Sequence, residues 1–63
     1  NDADTILIRL KPSSGELIKT QNIFSDGTTV IELYTGQTAI VKNGFVSFPK
    51  YENNVAIIKE LKN

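Results

Sequence analysis

Seven carboxylates, Asp2, Asp4, Glu16, Asp26, Glu32, Glu52 and Glu60, are the residues whose type best suits acid–base chemistry in this chain. Cleaving a glycosidic bond needs two carboxyl groups facing each other across a substrate cleft. Asp2 and Asp4 fall in a polar N-terminal stretch expected to fray. Asp26 sits in Ser25-Asp26-Gly27, a turn that uses Asp for a local side-chain hydrogen bond. Glu32 stands mid-strand among apolar neighbours and is the best single catalytic candidate. The reading favoured over it is an ordinary solvent-facing strand residue. The chain contains no His and no Cys. That removes a Ser-His-Asp arrangement, a common zinc site and any disulfide. Glycine-rich phosphate loops are absent, and neither cofactor nor metal is expected.

Tyr34 and Tyr51, with Phe24 and Phe45 behind them, are the residues able to stack on a sugar ring. The competing reading buries each tyrosine ring and leaves a wet hydroxyl at a sheet rim, and the lack of Trp favours it. Seven Lys/Arg balance seven Asp/Glu with no basic stripe, so no nucleic-acid partner is expected. No apolar run approaches the ~20 residues of a membrane helix, so no membrane partner is expected. The chain begins with Asn1 and holds no Met, which reads as an excised segment or a processed product of one domain. The absence of Cys allows a cytosolic or a secreted home.

The elements that must position these residues are strands. In Thr5–Lys11, Ile6, Ile8 and Leu10 share one face and Arg9 and Lys11 the other, a period of two. Pro12 to Gly15 is a turn. Leu17–Ile23 is a weaker strand, with a helix over Ser14–Gln21 as its rival. Thr29–Tyr34 is β-branched and aromatic, and Thr35-Gly36 turns the chain. Thr38–Lys42 and Phe45–Phe48 flank Asn43-Gly44, the strongest short hairpin signal. A two-residue loop there sets Lys42 opposite Phe45, Val41 opposite Val46 and Ala39 opposite Phe48. Ala39, Val41, Val46 and Phe48 then face the core. Pro49 ends that strand, Lys50–Asn54 is a loop, and Val55–Leu61 closes the chain. Five to six short strands with close turns predict an all-β fold, a small antiparallel sandwich or partly open barrel.

The stretch from Ile23 to about Leu61 resembles the C-terminal β-domain, domain C, of the alpha-amylase family of glycoside hydrolases. The matching residues are Asp26-Gly27-Thr28, Val30, Leu33-Tyr34-Thr35-Gly36-Gln37, Val41, Asn43-Gly44, Val46 and Val55-Ala56-Ile57-Ile58. The resemblance implies a Greek-key sandwich placed after a catalytic (β/α)8 barrel. It implies that the catalytic Asp/Glu/Asp set lies in that barrel, since no residue here matches those motifs. The domain would steady the barrel as its partner, and in some members it helps hold starch, an alpha-glucan. A secreted home is implied by the resemblance alone. Family domains tend to be longer, with a further strand before the matched region.

The closing segment does not alternate cleanly: Val55 and Ile57 oppose Ala56 and Ile58, and Leu7 opposes Ile6 and Ile8. A sheet with one solvated face should alternate. Leu7, Val55, Ile57 and Ile58 are therefore the expected docking face for the catalytic domain. The alternative reading is an independent small β-barrel, SH3-like or OB-like, that works as a binding module.

Overall fold

β-branched and aromatic runs pair where turn residues let the chain reverse. The computed structural model describes residues 5–62. Among them run β1 (Ile6–Leu10), β2 (Ile18–Lys19), β3 (Thr29–Glu32), β4 (Thr38–Ile40), β5 (Phe45–Val46) and β6 (Val55–Glu60). They form an antiparallel four-stranded sheet, β1-β6-β3-β4, and a two-stranded sheet, β2-β5. β3 and β4 form a hairpin, β5 steps to the other sheet, and β6 returns to lie between β1 and β3. The all-β expectation holds. No helix forms among the described residues, and β2 occupies part of the Ser14–Gln21 stretch. The tail holding Asp2 and Asp4 lies outside the described residues.

The turns follow residue chemistry. Asn43 and Gly44 take φ of 52° and 84°, and Lys42 and Phe45 exchange both backbone hydrogen bonds at 2.9 Å. This is the two-residue left-handed hairpin turn that Asn-Gly favours. A second such turn was not expected. Asn53 and Asn54 have φ of 60° and 55°, and a bridge joins Glu52 to Val55. Asn tolerates this conformation best among residues with a side chain beyond Cβ. β2 is shorter than the expected Leu17–Ile23. The Thr20 carbonyl accepts from the amides of both Ile23 and Phe24, which bends the chain and carries Phe24 into the core.

The core gathers Ile18, Phe24, Val30, Val41, Val46, Phe48, Ala56 and Ile58, with Leu7, Ala39 and Tyr51 packed against it. The inward face of the β4–β5 hairpin is as expected, but its ladder is not. β5 leaves β4 after the Lys42–Phe45 bridge and pairs with β2, Ile18 opposite Val46 and Lys19 opposite Phe45. The expected Val41–Val46 and Ala39–Phe48 pairs therefore give way to a step between two sheets. That step lets one hairpin wall two sides of the core.

Thr20 is fully buried, and its Oγ1 is the buried side-chain polar atom without a hydrogen-bond partner among the described residues. Burying an unpaired hydroxyl costs about 1–3 kcal/mol. Thr20→Val keeps the shape and removes the hydroxyl, so the urea midpoint should rise by the equivalent of about 1–2 kcal/mol. A lower midpoint would mean that the hydroxyl is hydrogen-bonded in solution.

Candidate functional site

Glu32 is not the solvent-facing residue expected of it: it is completely buried. The inward alternation of β3 sends Val30 and Glu32 to the core. Its carboxylate is fully engaged there. Oε1 accepts from the amide and the hydroxyl of Thr35, both at 2.8 Å. Oε2 accepts from the amides of Tyr34 at 3.2 Å and Ile57 at 3.0 Å. A carboxylate offers about four acceptor sites, and four donors fill them. No lone pair is left to take a proton from a substrate. Strand β3 consequently ends at Glu32, two residues before the expected Tyr34, because the carboxylate draws Tyr34 and Thr35 into a turn. The Gly36 amide closes that turn on the Glu32 carbonyl at 2.8 Å, with Gly36 at φ 76°. Gln37 extends the network, its Nε2 donating to Thr35 Oγ1 at 2.8 Å and to the Lys50 carbonyl at 2.7 Å.

Burial is the largest single influence on the Glu32 carboxyl and pushes its pKa up. The bonds donated by Ile57, Thr35 and Tyr34 together outweigh it and hold the pKa below the ordinary value.

Two further carboxylates also fasten turns. Asp26 does not serve its own turn. Its Oδ2 accepts from the Asn43 amide at 3.1 Å and its Oδ1 from the Gly44 amide at 2.9 Å. Glu16 accepts from the Ser13 amide at 2.8 Å and pairs with Arg9 at 2.7 Å. The Ser13 hydrogen bond, opposed by slight desolvation and joined by Arg9, lowers its pKa. Glu52 and Glu60 are exposed. The described residues bring together no cluster of three or more acidic side chains able to hold a metal ion.

The two tyrosines separate. The Tyr51 hydroxyl accepts from the Phe48 amide at 3.1 Å and donates to the Glu16 carbonyl at 3.4 Å. Its ring meets Phe48 edge-on at 6.1 Å. Tyr51 thus carries structure, and burial, its largest influence, raises its pKa. Tyr34 is exposed in the turn after β3. Phe24 is buried in the core, so it backs no platform.

Both faces of the four-stranded sheet are largely apolar, and Lys59 stands on the outer one between Ile6 and Ile31. Pairing of Ile8 with Ile57 and Leu10 with Val55 sets these side chains on the outer face beside Ile6, Ile31 and Ile40. Ile8 and Leu10 are 59% and 65% exposed. Of the four residues expected to form the docking face, Val55 and Ile57 lie here half-buried. Ile58 and Leu7 do not: Ile58 is buried in the core and Leu7 packs against it. The more apolar edge of β1, Ile6-Ile8-Leu10, points outward in their place. A groove of about 550 Å³ opens where β5 leaves β4, walled by Leu17, Ile40 and Phe45, with Lys42 at its rim.

No family model, no curated protein and no solved structure matches the chain.

Glu32→Gln keeps the size of the side chain but turns one oxygen into a donor facing donors. Two donors then lose their acceptor, so unfolding in urea should become easier by about 2–4 kcal/mol. The wild-type carboxylate has a lower pKa folded than unfolded. Its stabilisation is complete above the unfolded value of about 4.3 and is lost as pH falls through the lower folded value. The variant should lose part of this acid dependence, with Glu16 supplying the remainder. Parallel stability–pH curves for the two proteins would refute the assignment.

Proposed function

We propose that this chain is a non-catalytic C-terminal β-domain of an alpha-amylase-type glycoside hydrolase, packed against the catalytic barrel and steadying it. The observation that carries this reading is the outer face of the four-stranded sheet. Ile6, Ile8, Leu10 and Ile40 are exposed there, with Ile31, Val55 and Ile57 half-buried beside them and Lys59 among them, the kind of patch that marks an interaction surface. Four strands about 4.8 Å apart, each about five residues of 3.3 Å, span roughly 300 Å². A stable complex of two separate proteins covers about 800 Å² on each partner. A smaller face suffices when both surfaces belong to one chain, where the effective concentration reaches about the millimolar range.

The residues that carry the family resemblance support the reading in a second way. Leu33-Tyr34-Thr35-Gly36-Gln37 is the turn wound around Glu32, and Asp26 bonds across to Asn43-Gly44. Val30, Val41, Val46, Ala56 and Ile58 are core. The matched pattern is thus a set of turn fasteners and packing residues, as suits an accessory domain. Any contact with alpha-glucan would fall to Tyr34, the exposed tyrosine. A second reading, an independent SH3-like or OB-like module, rests on the groove beside β4. Among the described residues Phe45 is the one aromatic lining that groove, and such modules usually cluster several.

The upstream reading frame identifies the parent enzyme: it should carry a strand–helix alternation of barrel length, about 250 residues or more. In that enzyme Ile8→Lys should lower the melting temperature. In the isolated domain the same exposed change should cost no more than about 0.5 kcal/mol. An unaltered parent would remove the docking face. The isolated chain should release no reducing ends from soluble starch, and measurable turnover would overturn the proposal.

A further inference from the structure

Asn43-Gly44 pairs a reactive side chain with the least hindered of following amides. Asn43 is exposed, and its side-chain amide makes no hydrogen bond to the described residues. Such a pair reacts with itself when the Gly nitrogen attacks the Asn side-chain carbonyl carbon. That nitrogen is held on this turn. Its proton lies on Asp26 Oδ1 at 2.9 Å, and the preceding amide lies on Oδ2 at 3.1 Å. The Gly44 carbonyl is held as well, accepting from the Thr20 amide at 2.8 Å.

We propose that Asn43 is a spontaneous deamidation site kept closed by the Asp26 carboxylate. In the reaction the Gly44 nitrogen loses its proton and bonds to the Asn43 Cγ. The side-chain nitrogen leaves with that proton as ammonia, and a five-membered imide remains. Water then opens the ring at either carbonyl, giving aspartate or isoaspartate at position 43. Asp26 opposes the first step twice. An amide nitrogen gives up its proton less readily beside a negative charge, and the bonds to Asp26 and Thr20 keep Gly44 from swinging onto Cγ. The product places a second negative charge beside Asp26, or an extra backbone atom in a two-residue turn. Either change loosens the hold on β2 through Thr20. The inference is independent of any docking partner. Asn22, Asn53 and Asn54 are followed by Ile, Asn and Val, so they serve as internal controls.

Peptide mapping by mass, after incubation at neutral pH, follows the amide-to-acid exchange at each Asn. Four samples are compared: the folded chain, a short peptide spanning Lys42–Phe45, and the variants Asp26→Ala and Asp26→Ser. Asn43 should convert at least about tenfold more slowly in the folded chain than in the peptide, the protection expected when reaction waits on local opening. Both variants should speed conversion at Asn43 and leave the three controls, Asn22, Asn53 and Asn54, unchanged. Asp26→Ser, which keeps a short acceptor, covers the case in which Asp26→Ala fails to fold. Equal rates in folded chain and peptide would overturn the proposal. So would a folded variant that reacts no faster than the parent, since Asp26 would then be a bystander or the base that promotes attack.

Discussion

The structure depends on one buried charge. Four hydrogen bonds take the place of water around the Glu32 carboxylate. Moving a carboxylate into the interior is costly, and removing one of its partners costs more still. Such a group therefore enforces a single arrangement. Two of the bonds come from Thr35 and one from Tyr34, which shape the turn after β3. The fourth comes from the Ile57 amide, in the middle of β6. The Leu33 amide bonds the Ile57 carbonyl, so backbone and side chain together finish the β3–β6 ladder. A fold of this size lacks the area for a large core, and this one has no cysteine and, among the described residues, no metal-binding cluster. A saturated carboxylate serves as its staple.

Asp26 and Glu16 repeat the device at the surface, each accepting backbone amides from a turn. This bears on function more directly than any count of acidic residues. Three carboxylates that sequence alone offers to catalysis are spent on holding loops. Their partners are backbone amides of their own fold, with the Thr35 hydroxyl and the Arg9 guanidinium besides. The face that the four-stranded sheet presents outward is mainly aliphatic around Lys59, which suits a surface for packing.

The sequence made some of this legible. Alternation and Asn-Gly located all six strands, because both signals act over neighbouring residues. Alternation separates two faces but does not say which one turns inward. In β1 the richer face, Ile6-Ile8-Leu10, lies outside and Leu7 lies inside, since pairing with β6 fixes the register through Ile58 and Ala56. The Asp26 bonds to Asn43 and Gly44 span 17 and 18 residues, a distance no local pattern reaches. Glu32 did leave a local trace. An acid three residues before a Thr-Gly pair is positioned to accept from the Thr amide and hydroxyl, as an acid does at the start of a helix. The same holds for Asn53-Asn54, whose tolerance of positive φ marks a turn that lacks a glycine.

β6 links stability to the proposed docking. Its inward side chains, Ala56 and Ile58, complete the core, while Val55 and Ile57 belong to the uncovered face. Its Ile57 amide holds Glu32. A surface that covers Val55 and Ile57 would restrain the strand that also holds the buried carboxylate. Binding to the folded state alone raises its stability by mass action. The coupling is reciprocal, so a domain whose core is weakened should also hold its partner less tightly. An accessory domain built this way would gain much of its rigidity from the enzyme that it steadies. That accounts for a small fold that keeps an apolar sheet face open and relies on one strand for both tasks.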